Sequence, residues 1–419
     1  MKKKIGFLGC GNIGSAVSRL LSERAGALEK NEGVGFEITA CLVRDTSKNR
    51  NTPLDASCFT TDPARVLDDP EIEIVMEFMG GEQPAAEYMA RALKNGKSVV
   101  TANKMALAQH WQELVAAARK SGAGLFFEAS VCGAIPIIRV LNDSFQANKI
   151  SSVMGIINGT TNYILTRMSR EGAEYSDVLK DAQRLGLAEP DPTADVEGYD
   201  AMYKLSILST LAFHRHVLPE QIYREGISGI TPLDIQFGRE FGLVLKLLAI
   251  AKEKDGIVEC RVHPAFVPET HPLASVSDAF NAVFVEGRAS GEMMFYGRGA
   301  GDMPTAGALV SDLVKAGRGE GEMLSAATGC SVAQDWDCVH FIRMRVKDRP
   351  GVLAQICTAF AQYEVSIASM VQKGNRDEEN CVQLVILTHT ASEHAVREAL
   401  NRLDESVTEI RMIRVEGME

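Results

Sequence analysis

The chain has 419 residues, 46% hydrophobic and 24% charged, so two or three domains with ordinary cores are expected, without disulfide or metal staples. A formal net charge of −11 argues against nucleic acid or an anionic membrane as partner, since both reward basic patches. Nine scattered cysteines with no CxxC fit a reducing cytoplasm, and no window reaches the ~20 apolar residues of a membrane span.

Met1-Lys2-Lys3-Lys4 has the charge of a signal n-region, but glycines break the apolar stretch behind it, so no secretion signal is expected. Residues 4–9 predict a buried strand, and Ile13, Val17, Leu20 and Leu21 predict a helix after it. Strands follow at 36–43 and 72–78. Pro84 suits the first turn of a helix that Gly96 ends. Then come a strand at 98–102, a helix at 106–120 and a strand at 125–129. This alternation implies a parallel sheet covered on both faces, a Rossmann-type α/β domain over 1–148.

Within it, Gly9-Cys10-Gly11-Asn12-Ile13-Gly14 matches GxGxxG. Alone the pattern is weak, but here it closes a strand and opens a helix. Gly9, Gly11 and Gly14 then allow a tight turn, close approach to a pyrophosphate and close packing, while the helix N-terminus near Asn12 and Ile13 offers free N–H groups. After the second strand stands Val43-Arg44-Asp45. Arg44 favours the 2′-phosphate of NADP(H), and Asp45 leaves NAD(H) open.

The rhythm changes beyond residue 148. A strand at 152–157 leads into the capping cluster Asn158-Gly159-Thr160-Thr161-Asn162. Long helices are expected to about residue 253, and strands at 257–267, 281–288 and 293–298. This is an α+β domain over 149–298, with 299–325 expected to pack back on the first domain. Gly317 to Gly321 reads as a polar linker. From His340 the order strand, helix, strand, strand, helix, strand predicts a ferredoxin-like unit within 339–419.

Two segments carry chemistry. The strand at 98–102 delivers Lys104 to the carboxyl edge of the sheet, where open parallel sheets bind ligands. The run 186–200 gathers Glu189, Asp191, Asp195, Glu197 and Asp200, with Lys204 one helical turn beyond. An Asp200–Lys204 pair could be a surface ion pair, but the helix continues as Leu205, Ile207, Leu208 and Leu211 and so reads as buried. Clustered charge there suits a small amino acid: carboxylates bind its ammonium, and a lysine protonates the alkoxide formed when hydride reaches an aldehyde.

These pieces resemble homoserine dehydrogenase: GCGNIG at 9–14, TANKMALA at 101–108, NGTTNYIL at 158–165, GLAEPDPTADVEGYDAMYKL at 186–205 and GAGDMPTAGALVSDLV at 299–314. The resemblance implies NAD(P)H-dependent reduction of L-aspartate 4-semialdehyde to L-homoserine, in a stand-alone form without a kinase half. It implies Lys204 as proton donor, Lys104 assisting at substrate and nicotinamide, and Glu189 and Asp200 holding the substrate with Asp195 in support. Gly186, Glu189 and Gly301 would border the cofactor. The stretch 128–135 resembles the family's monovalent-cation loop, in which Glu128, Val131, Gly133 and Ile135 would supply chiefly backbone oxygens, with Na+ the expected ion. The second domain would also dimerise, giving a homodimer or homotetramer.

Val346-Lys347-Asp348-Arg349-Pro350-Gly351-Val352-Leu353 resembles the opening of an ACT domain. That implies allosteric inhibition by threonine; an oligomerisation module without a ligand is the alternative. A dinucleotide-dependent DNA regulator is disfavoured, since no basic helix-turn-helix accompanies the fold. His214, His216 and His263 read as structural, and Cys132 has no histidine near it in sequence to make it a nucleophile.

Overall fold

The computed structural model describes residues 2–321, 327–374 and 376–418; the stretch 322–325, expected to pack on the first domain, lies outside them. Six parallel strands form the first sheet: Lys2–Leu8, Gly35–Leu42, Phe59–Thr60, Ile74–Glu77, Ser98–Thr101 and Leu125–Phe126. Numbered along the chain, their order across the sheet is 3-2-1-4-5-6. The order reverses between Lys2–Leu8 and Ile74–Glu77, which opens a ligand crevice beyond Leu8 and Glu77. The strand expected at 125–129 stops at Phe126. Glu128–Ser130 turns as a 3-10 helix instead, because Glu128 N–H is drawn to Asp312 Oδ2 at 2.8 Å.

Helix Asn12–Glu32 covers one face of this sheet, and Asp302–Gly317 returns from far along the chain to lie beside it. Leu309, Leu313 and Ala306 are fully buried there against Phe7, Val17 and Val100. Helices Ala85–Lys94 and Lys104–Ser121 cover the other face.

The second sheet has eleven strands. Gly291–Arg298 is its edge, followed by Phe280–Gly287, Ile150–Ile156, Leu243–Lys254 and Ile257–Pro268. The run Leu243–Lys254, read from the sequence as helical, is therefore a 12-residue strand. An unbroken apolar stretch such as Leu243–Ala251 fits a buried helix or a buried strand equally, and pairing on both sides decides for the strand.

The sheet then continues into the C-terminal unit. Val407–Val415 lies parallel to Ile257–Pro268, joined through Ala265 with Arg414 and Phe266 with Val415. Asp337–Lys347, Cys381–Thr388 and Ile367–Lys373 complete it, with helices Val352–Gln362 and Glu393–Asn401 on one side. This unit is ferredoxin-like, as its alternation implied, but its sheet is continuous with that of the preceding domain.

Helix Tyr199–Phe213 connects the layers. Leu205 and Leu208 are buried in the core shared with Leu107 and Trp111 of the first domain and with strand Leu243–Lys254. Such a helix is apolar on all sides, so its charged residues need partners.

Candidate active site

Strand Ile150–Ile156 ends at Asn158, which caps helix Gly159–Glu171: its Oδ1 accepts the Thr161 N–H at 2.9 Å. That leaves the Asn158 amide to donate to Asp195 Oδ1 at 2.7 Å and to Asp200 Oδ2 at 2.9 Å. The cap thus gathers two of the five carboxylates of the acidic run. Gly198, at φ 80°, lets the short helix Thr193–Val196 turn directly into Tyr199–Phe213; a Cβ there would meet Val262 at 3.2 Å.

Asp200 is the hub. Lys204 Nζ lies 2.6 Å from its Oδ2 and Lys104 Nζ 2.8 Å from its Oδ1. Burial opposes the charge on Asp200, but Lys204 and Lys104 outweigh it and hold the carboxyl well below the usual range. Asp200 in turn raises the pKa of Lys104 against its own burial. Lys204 also donates to the Ile157 carbonyl at 2.8 Å. An ammonium has three N–H donors, so one remains for a ligand. Lys104 opens helix Lys104–Ser121 under the cap of Asn103, whose own amide is tied to the Gly81 carbonyl at 2.8 Å.

Both lysines face a cavity of about 1060 Å³ between the carboxyl edge of the first sheet and the second domain. Ile13, Gly80 and Gly301 line its first-domain side; Gly186, Glu189 and Asp195 line the other. Glu189 is exposed and makes no ion pair among the described residues. Asn158, Tyr199 and Asn281 also line it and were not singled out as site residues from the sequence. Only Asn158 carried a signal, its place at the head of a capping cluster.

The glycine loop fits a dinucleotide. Gly9, at φ 99°, receives a Cβ only 3.2 Å from the Phe78 carbonyl, and a Cβ on Gly14 would sit 3.0 Å from Gly9 O. Gly11 faces open space at the start of helix Asn12–Glu32 with no side-chain cap, leaving its first N–H groups free for phosphate oxygens. Gly9 N–H bonds Leu42 O at 2.9 Å, which sets the loop beside the end of the second strand, where exposed Arg44 follows.

In the loop 128–135, Cys132 and Gly133 are both left-handed, at φ 55° and 46°. The Glu128 carboxylate is buried and accepts the N–H groups of Ile138 and Arg139, each at 2.9 Å. Burial and nearby Asp312 push it up to about 7. The carboxylate is thus spent on backbone amides, and what the loop offers a cation is carbonyl oxygen, a donor set that suits an oxygen-seeking monovalent ion. Cys132 lines the cavity, but burial pushes its thiol up to about 11, away from nucleophilic thiolate. Elsewhere Cys338, His340 and Glu393 cluster like metal ligands. The Glu393 carboxylate is already held by Arg414 and Arg397, which disfavours a further cation.

Comparison with known proteins gives consistent results. Family models described as "Homoserine dehydrogenase, NAD binding domain", "Homoserine dehydrogenase" and "ACT domain" match residues 9–128, 136–314 and 340–406. A homoserine dehydrogenase of Bacillus subtilis is 40% identical over 428 aligned positions, covering 99% of this chain and 98% of its own. A homoserine dehydrogenase from Thiobacillus denitrificans superposes with a TM-score of 0.91 at 38% identity, covering 99% of this chain and 98% of that one. A hyperthermophilic archaeal homoserine dehydrogenase in complex with NADPH superposes at 0.65 with 27% identity, over 75% of this chain and 98% of that one.

Proposed function

The chain belongs to the homoserine dehydrogenase family of NAD(P)-dependent oxidoreductases, and we propose that it reduces L-aspartate 4-semialdehyde to L-homoserine with Lys204 as the proton donor. The observation that carries this reading is the third N–H of Lys204. Asp200 and the Ile157 carbonyl fix the other two, which aims the remaining one into the cavity. When bound, the nicotinamide supplies the hydride to the aldehyde carbon. Lys204 then gives its proton to the carbonyl oxygen, with Asp200 holding the ammonium in place. Lys104 lies on the other side of Asp200 and holds the substrate beside the nicotinamide. With the Asp200 oxygens committed to the two lysines, Glu189 and Asp195 are the carboxylates left to take the substrate ammonium, and Asp200 acts on the substrate through the lysines it holds.

NADP(H) is the preferred cofactor in this reading, held by the loop 9–14 with Arg44 on the 2′-phosphate and Gly186, Glu189 and Gly301 at the border. The carbonyls of Glu128, Val131, Gly133 and Ile135 bind a monovalent cation, with Na+ the first to test. The unit 1–148 binds the dinucleotide, 149–298 binds substrate and dimerises, and 339–419 regulates through threonine. A dimer is supported by edge strand Gly291–Arg298, which leaves Met293, Met294 and Tyr296 39%, 38% and 54% exposed. Nine free cysteines and no helix among the described residues long and apolar enough to cross a membrane fit a cytoplasmic enzyme.

The test is loss of NADPH absorbance on adding aspartate semialdehyde, with wild type and Lys204→Ala side by side. Fast turnover in the first and near-loss in the second, with cofactor binding kept, is expected. Turnover in neither overturns the reaction; equal turnover in both moves the proton donor, with Lys104 next.

A further inference from the structure

Strand Ile74–Glu77 is apolar up to its last residue, a glutamate that is fully buried where the crevice of the first sheet opens. Among the described residues no lysine or arginine pairs with Glu77, and burial raises its pKa. A carboxyl taken from water without a cation is costly unless hydrogen bonds replace the water.

Here four donors do so. The Thr101 hydroxyl donates to Oε2 at 2.6 Å. Met79 N–H and the Asn103 amide donate to Oε1 at 2.7 and 3.3 Å, and the Gly80 N–H is turned to the carboxyl as well. A glutamine of the same shape would set its own NH2 against part of this ring of donors, whereas a carboxylate accepts from all of it.

The donors belong to two neighbouring loops. Loop 79–81 follows strand Ile74–Glu77, and Gly80 and Gly81 pass through it at φ 70° and 71°. Turn 101–104 follows strand Ser98–Thr101; there Thr101 Oγ1 accepts the Asn103 N–H at 2.9 Å, and Asn103 caps the helix that Lys104 opens. The Asn103 amide spans both loops, reaching the Gly81 carbonyl at 2.8 Å. Gly80, Gly81, Asn103 and Lys104 line the catalytic cavity, with Glu77 behind them. Lys104 then crosses to Asp200 at 2.8 Å, while loop 79–81 borders the crevice where an open parallel sheet holds its dinucleotide. One carboxylate thus ties the cofactor wall of the cavity to the lysine that faces the substrate.

We propose that Glu77 is a positioning residue for hydride transfer: without touching cofactor or substrate, it holds loop 79–81 and Lys104 in the relation that brings the nicotinamide to the aldehyde carbon. The inference rests on the reading that nicotinamide and aldehyde meet beside Lys104, and it adds the group that sets their separation. Transfer is steep in that separation, a misplacement of about 1 Å costing about 10²-fold in rate.

The test is a single turnover followed by stopped flow. Full-length wild type, Glu77→Gln and Thr101→Val, each carrying one equivalent of NADPH, are mixed with saturating aspartate semialdehyde. Glu77→Gln keeps the shape and removes the charge; Thr101→Val removes one donor from the same carboxylate and decides the matter should the first variant not fold. The rate constant of the first phase is expected to fall about 10- to 10²-fold in Glu77→Gln and less in Thr101→Val. Its amplitude and the NADPH affinity, from fluorescence titration, stay near wild type. A purely structural role would lower the amplitude, which counts folded sites, and leave the rate constant alone. A wild-type rate constant in Glu77→Gln, or in Thr101→Val if the first does not fold, overturns the positioning role while the reaction stands. No turnover in wild type overturns the reaction, and the role of Glu77 with it.

Discussion

Lys204 Nζ and Asp200 Oδ2 stand 2.6 Å apart, one helical turn from each other, with both side chains buried. On a surface such a pair contributes a few tenths of a kcal/mol, roughly 0.2–0.5. Buried, its Coulombic gain is largely offset by desolvation, so its value is in position and charge state. Asp200 accepts from Lys204, Lys104 and Asn158 together, and the Ile157 carbonyl as second acceptor orients the Lys204 ammonium.

Lys204→Met tests that arrangement. The substitution keeps an unbranched side chain one atom shorter and removes the donor, while Asp200 keeps Lys104 and Asn158 as partners. We expect kcat to fall by about 10²- to 10⁴-fold, the usual worth of a placed general acid. NADPH affinity, measured by fluorescence titration, stays near the wild-type value because the glycine loop lies on the other side of the cavity. A large loss of NADPH affinity would mean that Lys204 acts on the cofactor and not on the substrate oxygen.

Arg44 decides cofactor choice in this reading. It follows the second strand, exposed, beside the loop whose Gly9 N–H bonds Leu42 O. Arg44→Ala removes one charge-assisted contact to a phosphate, worth about 1.5–3 kcal/mol, so the KM for NADPH rises by roughly ten- to a hundredfold. The KM for NADH, which has no 2′-phosphate, does not move. Equal losses with both cofactors would assign Arg44 to the pyrophosphate or to the loop itself.

Much of this was legible in the sequence because the signals were local. The GxGxxG loop sits between a strand and a helix, and Asp200 and Lys204 are four residues apart, so each can be placed without knowing the rest of the fold. What was not legible depended on distant partners. Leu243–Lys254 looks helical or extended until Ile150–Ile156 and Ile257–Pro268 pair with it. That Glu128 has only its carbonyl to offer a cation appears once Ile138 and Arg139 take its carboxylate. Asn158 read as a helix cap, which it is. Its second task, holding Asp195 and Asp200, appears only when the chain returns past it some forty residues later.

His263 gives the fold a pH dependence. It is fully buried, donating Nδ1–H to the Pro264 carbonyl at 2.9 Å and accepting from Arg261 Nη1 at 2.9 Å. Burial, with Arg414 and Arg261 beside it, pushes the imidazole down to about 3. Below the ordinary value of about 6.5 the unfolded chain takes up a proton that the folded chain refuses, so stability falls as pH falls through that window. The limiting slope for one such group is about 1.4 kcal/mol per pH unit. His216 and His271, also lowered by burial, slope the same way. The readout is therefore the difference between wild type and His263→Gln in denaturant midpoint from pH 7 to 5, where the variant should be flatter. Parallel curves would mean that His263 is protonated in the fold.

Glu416 tests how the regulatory unit is attached. Among the described residues, strand Val407–Val415 meets strand Ile257–Pro268 of the same sheet at two backbone-paired positions, so much of the joint rests on side chains. Arg261, fully buried in the substrate domain, is met by Glu416 Oε1 at 2.6 Å, and Lys252 reaches the other oxygen at 3.0 Å. Burial opposes the charge of Glu416, yet Arg261 and Lys252 hold its carboxyl down to about 2. Glu416→Ala takes one of two carboxylates from a guanidinium that has lost most of its water, Glu259 staying at 2.6 Å, at a cost of about 1.5–3 kcal/mol. Removing the other partner as well, in Arg261→Met with Glu416→Leu, fills the space with apolar atoms and recovers most of that loss. Equilibrium unfolding of the three chains in guanidinium chloride measures both effects. A Glu416→Ala variant as stable as wild type would show that Glu259 alone satisfies Arg261. The joint would then be held by its apolar contacts, such as Phe266 against Phe341 at 4.9 Å between ring centroids, and not by the buried charges.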